Sequence, residues 1–143
     1  MKALNIFLVA FLSLFILGCN DDKKIEQKLE FKTISSFADI KEDKMTFLFL
    51  SKPGCKWCAK QKEDFKAFDY INRFPQYDFI KVESNEPIFR QLYTSAFPVS
   101  SFPTLVVMQR SGTQFIVVEN LEWYANKEIL EPILEFNKDL VGK

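Results

Sequence analysis

The run Phe47-Leu-Phe-Leu-Ser-Lys-Pro-Gly-Cys-Lys-Trp-Cys58 constrains this chain more than any other stretch. It joins an apolar, strand-like segment to a Pro-Gly turn and then to two cysteines separated by two residues. That spacing lets the first turn of a helix bring both sulfurs into disulfide reach. A helix start leaves backbone N–H groups unpaired and carries the positive end of the peptide dipoles. A thiolate is stabilised there, and the thiolate is the reactive form of cysteine. C-x-x-C alone also serves zinc ribbons and iron–sulfur sites. Strand, turn, C-x-x-C and a following helical pattern together point to thiol–disulfide chemistry. The competing reading is a structural staple, but so short a ring gains little loop-closure entropy.

No histidine occurs anywhere in the 143 residues. That excludes Ser-His-Asp and Cys-His catalysis, histidine-based zinc or copper sites and histidine pH switching. The 19 basic residues balance 19 acidic ones, so nothing points to nucleic acid or another polyanion. The length suits one domain with a real core, and sixteen phenylalanines predict an aromatic-rich interior.

The amino terminus reads as an export signal. Met1-Lys2 gives a short positive start, Ala3 to Leu17 is nearly all apolar, and Gly18-Cys19 follows. An apolar run of about 15 residues is short for a membrane span of about 20. Leu14-Phe-Ile-Leu-Gly-Cys19 resembles a bacterial lipobox, which implies lipidation at Cys19 after removal of residues 1–18. A retained transmembrane anchor and ordinary peptidase cleavage are the alternatives. Lipidation uses the odd cysteine and leaves Cys55 and Cys58 as an isolated pair. Cleavage would remove Lys2 and no acid, leaving 18 basic and 19 acidic residues, a formal net charge of −1. Residues 19–28 then form a polar tether, and residues 29–143 the folded domain, in an oxidising compartment.

Along that domain, Leu29–Ile34 alternates like a half-buried strand, and Ser35 or Ser36 caps a short helical stretch over Phe37–Asp43. Met45–Leu50 reads as a buried central strand. Trp57, Phe65, Phe68 and Ile71 space an amphipathic helix from Lys56 to about Asn72. Tyr77–Val82 is the next strand, and Glu86–Thr94 a short helix opened by Pro87. Thr104–Gln109 and Gln114–Glu119 make a hairpin about Ser111-Gly112. Lys127 to Leu140 closes the domain as a helix, in which Pro132 predicts a kink or a late start. The order βαβαβαββα implies an α/β domain: a central mixed sheet flanked by helices on both faces. Phe65, Phe68, Phe79, Phe89 and Phe97 are expected in or near the core.

Over about residues 29–140 the chain resembles the thioredoxin-like superfamily, with C-x-x-C after the second strand and Val99-Ser-Ser-Phe-Pro-Thr-Leu105 before the hairpin. The Ser-Lys-Pro-Gly-Cys-x-x-Cys segment is similar to periplasmic thioredoxin-like proteins of the SoxW kind and to the C-terminal domain of the DsbD electron carrier. The resemblance implies the thioredoxin fold, a cis Pro103 set against the C-x-x-C, and no cofactor beyond the redox-active Cys55–Cys58 pair. It implies roles as well: Cys55 attacks, and Cys58, one turn in, resolves the mixed disulfide. Phe102, Pro103 and Thr104 flank the substrate strand. Phe49 stands six residues before Cys55, where cytoplasmic thioredoxins keep a buried aspartate. Glu83 is the substitute carboxylate nearby, with an ordinary surface carboxylate as its other reading.

Two residues between the cysteines carry their own readings. Lys56 adds positive charge beside Cys55, against a plain solvated lysine. Trp57 offers a wall to a docking polypeptide, against simple filling beside the Pro103 loop. The function expected is a membrane-anchored, extracytoplasmic thiol–disulfide oxidoreductase that reduces protein disulfides. Its electrons come from a membrane donor of the DsbD/CcdA kind, and it works as a monomer held by lipid at Cys19 in the bacterial cell envelope, facing the periplasm. The alternatives are an oxidant that introduces disulfides, and a non-catalytic binding module with Cys55 and Cys58 as a copper(I) clasp.

Overall fold

The structure, a computed structural model, describes residues 30–95 and 97–140. The expected leader, Cys19 and nearly all of the tether lie outside the described residues. Four strands and four α-helices follow in the order β1 (Met45–Ser51), α1 (Lys56–Ala67), α2 (Tyr70–Arg73), β2 (Tyr77–Glu83), α3 (Pro87–Ser95), β3 (Thr104–Ser111), β4 (Gln114–Glu122) and α4 (Lys127–Asn137). The sheet order is β2-β1-β3-β4, with β1 parallel to β2, antiparallel to β3, and β3 antiparallel to β4.

Every residue of β1 is buried, as befits a central strand covered on both faces. The period-2 alternation of a strand sends Phe47 and Phe49 to one face and Leu48 and Leu50 to the other. On the first face, Phe65 of α1, Tyr70 of α2 and Leu130 and Leu134 of α4 complete an aromatic-rich core with Phe79 and Val107. Phe65 is its hub, with ring centroids at 5.0 Å from Phe31, 5.2 Å from Phe47, 5.3 Å from Tyr70 and 6.1 Å from Phe49. The opposite core is aliphatic at its centre, with Leu48, Leu50, Ile80, Val82, Val106 and Met108 under Ile88 and Leu92 of α3, and Phe97 joins it at the edge. Helices thus cover both faces of a mixed sheet. Of the phenylalanines expected inside, Phe65, Phe79 and Phe97 are buried and Phe68 and Phe89 half-buried.

Four expectations need correction. The strand foreseen at Leu29–Ile34 shrinks to one parallel bridge between Lys32 and Ile80. There Lys32 N–H donates to the Phe79 carbonyl and the Lys32 carbonyl accepts from Lys81 N–H, both at 2.9 Å. The stretch after it is only a 3₁₀ turn, Phe37–Asp39, held by the Asp39 carboxylate on the N–H groups of Ser35 and Ser36. The long helix from Lys56 breaks at Asp69, whose φ of 51° is left-handed; its carboxylate accepts from the Asn72 side chain at 2.8 Å. Finally, α4 does not start late. Asn126 caps it by accepting Ile129 N–H at 3.2 Å, and Pro132 sits inside the helix on its exposed side. No helix among the described residues is long and apolar enough to cross a membrane.

Candidate functional site: the Cys55–Cys58 disulfide

The end of β1 delivers the chain into a turn at which Gly54 takes φ 73°, a conformation that costs glycine little and other residues more. A Cβ there would meet nothing within 4 Å, so backbone conformation rather than space sets the requirement. Cys55 N–H donates back to the Lys52 carbonyl at 3.2 Å, and α1 begins with Cys55 as its N-cap. The cap is made by sulfur: Cys55 Sγ accepts the N–H of Cys58 at 3.1 Å. Cys55 and Cys58 form a disulfide with Cα atoms 5.2 Å apart. Cys55 is partly exposed, and Cys58 is 6% exposed.

Across from the sulfurs lies the loop before β3. The Phe102–Pro103 bond is cis, the isomer the resemblance implies. Cys55 Sγ stands 3.7 Å from the Phe102 carbonyl oxygen, so a reduced Cys55 thiol has an acceptor in reach. Pro103 is buried and Phe102 half-buried, its ring packed 5.7 Å from Phe89. Thr104 departs from expectation. It is fully buried, its hydroxyl donates to the Ser101 carbonyl at 2.7 Å, and its backbone is paired between Leu50 and Glu122. Its side chain braces the loop. Lys56 is exposed beside Cys55, and Trp57 is exposed with its ring 5.5 Å from Tyr124.

Behind the disulfide a shallow cleft is lined by Ser51, Cys58, Lys62, Lys81 and Glu83, among others. Phe49, at the position of the resemblance's buried acid, is 1% exposed and boxed by Phe31 at 5.5 Å and Phe65 at 6.1 Å. No carboxylate can act from there. Glu83 is the carboxylate that lines the cleft among the described residues, and it is paired with Lys81 at 2.5 Å. Both side chains are partly exposed, Lys81 24% and Glu83 33%. The Ser51 hydroxyl, buried and without a hydrogen-bond partner among the described residues, belongs to the same cleft. No cluster of three or more metal-ligating side chains occurs among the described residues.

Sequence reasoning missed a second set of residues around the site. Gln61, fully buried in α1, donates to the Ala125 carbonyl at 3.0 Å and accepts Ala125 N–H at 2.9 Å. Tyr124 OH donates to the Asp64 carboxylate, with Lys60 Nζ 5.0 Å from its ring centroid; the Asp64 bond raises the phenol's pKa. Trp123 N–H donates to the Pro103 carbonyl at 2.9 Å. Helix α1 therefore carries the disulfide and also holds the segment after β4. Gln61 is polar, but it lies three residues after Cys58 and four before Phe65, and that helical spacing was the signal of its inward face.

These elements define a thioredoxin fold with a C-x-x-C disulfide at the start of a helix, against a cis-proline loop. Sequence comparison finds no matching protein-family model and no matching curated protein. Structural comparison finds thioredoxins. The Trichomonas vaginalis thioredoxin superposes with a TM-score of 0.58 at 17% identity, covering 74% of this chain and 96% of that one. The Malassezia sympodialis thioredoxin gives 0.59 at 16%, covering 76% and 91%. The oxidised thioredoxin of Plasmodium falciparum gives 0.58 at 18%, covering 76% and 99%. At these identities the likeness is one of fold.

Proposed function

We propose that this chain is a thiol–disulfide oxidoreductase that reduces protein disulfides. The observation that carries the reading is the asymmetry of the pair: Cys55 is a partly exposed N-cap sulfur already accepting a backbone N–H, while Cys58 is buried one turn in. In the dithiol form Cys55 ionises and attacks one sulfur of a target disulfide. A Cys55–S bond forms, the target S–S bond breaks, and the departing target thiolate takes a proton from water. Cys58, once deprotonated, attacks Cys55 Sγ, which expels the second target thiol and leaves the Cys55–Cys58 disulfide. The protein loses two electrons and the target gains them. Glu83, on the cleft that also meets Cys58, is the group best disposed to accept the Cys58 proton.

The protein works outside the cytoplasm, anchored by lipid at Cys19 after removal of residues 1–18, and is recharged by a membrane electron donor of the DsbD/CcdA kind. The lipobox-like Leu14–Cys19 and the oxidising destination of an exported chain support this placement. The Lys56-Trp57 pair between the cysteines adds one exposed positive charge to the helix start, a modest aid to the thiolate. A reductant's potential follows, nearer about −270 mV than the about −120 mV of strong oxidants.

Equilibration of the full chain with glutathione buffers tests the direction of flow, and a midpoint near −120 mV would make the protein an oxidant. Mass spectrometry of the protein from its host tests the anchor. An acylated Cys19 at the amino terminus is expected, and an intact Met1 or a free Cys19 would overturn it.

A further inference from the structure

Three aromatic side chains meet beside the disulfide in a notch lined by Trp57, Trp123 and Tyr124. Trp123 is 68% exposed and Trp57 56%, a poor use of the two largest side chains if water were their only neighbour. Trp123 also takes φ 140°, a backbone region that suits glycine and strains a residue with a bulky side chain. The strain is not that of a loose loop. Trp123 N–H is bonded to the Pro103 carbonyl, Tyr124 OH to Asp64, and Ala125 on both backbone groups to Gln61. The fold holds an indole outward at a backbone cost where a glycine would serve the chain better. Pro103 directly follows Phe102, whose carbonyl is 3.7 Å from Cys55 Sγ, so the notch adjoins the reactive sulfur.

We propose that this notch is a specificity pocket for a bulky apolar side chain, aromatic above all, lying two residues from the target cysteine on an extended polypeptide. The proposal rests on the oxidoreductase reading. An extended segment puts residues i and i+2 on one face about 6.6 Å apart. Its cysteine can then meet Cys55 while the neighbouring side chain enters the notch. The rings of Trp57 and Tyr124 stand 5.5 Å apart, tilted by 39°, and supply aromatic surface for an incoming ring.

The test uses the full chain, pre-reduced, in single-turnover reduction of three probes. Two are peptides closed by a disulfide, identical except for Phe or Ser two residues from the cysteine; the third is hydroxyethyl disulfide, which has no side chain to place. The wild type is expected to reduce the Phe peptide about tenfold faster than the Ser peptide. In Trp123→Gly, which relieves the backbone strain, that ratio is expected to fall to within about twofold of unity. Equal peptide rates in the wild type, with hydroxyethyl disulfide reduced, would overturn the pocket and leave the oxidoreductase standing. Failure to reduce any of the three probes would overturn both. An unchanged ratio in a folded Trp123→Gly would also sink the pocket.

Discussion

In α1 the sulfur of Cys55 occupies the place of an N-cap oxygen, and Cys58 supplies the N–H that caps it. A thiolate at that position keeps the N–H and gains the helix dipole, whereas a Cys58 thiolate is buried one turn further in. In single-cysteine variants, Cys55 in Cys58→Ala is expected to alkylate faster than Cys58 in Cys55→Ala, with a pH midpoint below the ordinary thiol value of about 8.5. The reverse order would exchange their roles. A different residue sets the alkaline limit. Burial pushes the Tyr70 phenol up to about 12, and its hydroxyl has no hydrogen-bond partner among the described residues. Burial also raises Tyr77, whose hydroxyl donates to the Leu134 carbonyl at 2.8 Å. The unfolded phenol ionises near pH 10, so above that pH the unfolded state holds fewer protons and stability falls as pH rises. Urea midpoints are expected to be level below about pH 10 and to drop toward pH 12. Tyr70→Phe, which removes an unsatisfied buried hydroxyl, is expected to shrink that drop to the share of Tyr77 and cost little at neutral pH. A wild-type midpoint level to pH 12 would contradict the account.

At the scale of elements, α1 anchors two things, the disulfide and the segment from Trp123 to Ala125. The second anchor is Gln61, and Gln61→Leu would leave the N–H and C=O of buried Ala125 unpaired. A loss of about 2–3 kcal/mol is expected from urea unfolding, with the far-ultraviolet spectrum unchanged. A loss under about 0.5 kcal/mol would mean that the segment holds itself. What was legible here followed periodicity. Met45–Leu50 announced a central strand by its unbroken apolar run, and the Pro-Gly-Cys-x-x-Cys spacing announced the turn and helix start. What was not legible depended on partners distant in sequence. The alternation at Leu29–Ile34 is strand-like, yet among the described residues only Lys32 forms a bridge to β2. Asp69 ends α1 by its own left-handed backbone, which no glycine advertised. Thr104 looked like part of the partner-facing loop because the resemblance put it there, but its side chain turns inward to Ser101.

For the molecule as a whole, the sheet separates a core centred on aromatic rings from one centred on aliphatic side chains with phenylalanines at its edge, and the disulfide rests on the first side. Phe65 touches five other rings of that side and links α1 to the sheet. Phe65→Ala is expected to cost about 3–5 kcal/mol. That is a large share of the about 5–15 kcal/mol that holds a domain folded, so the melting temperature should drop steeply. A change under about 1 kcal/mol would show that α1 is held mainly by its polar bonds. The sixteen phenylalanines made an aromatic interior foreseeable. The aromatic concentration on the α1 face was written in Phe47 and Phe49, alternating with Leu48 and Leu50, although Phe97 and four half-buried phenylalanines pack on the other face. The pairing of Glu83 with Lys81 above Phe49 was not, since it needs the register of β1 against β2.

The chain's two tryptophans, Trp57 and Trp123, both sit in the notch beside the disulfide and both already face solvent. An excited indole close to a disulfide loses its energy to it by electron transfer. The molecule therefore carries its own optical gauge of oxidation. Emission is expected to brighten on reduction with dithiothreitol, and to shift little in wavelength on unfolding. A large red shift in urea would mean that the indoles are shielded in solution.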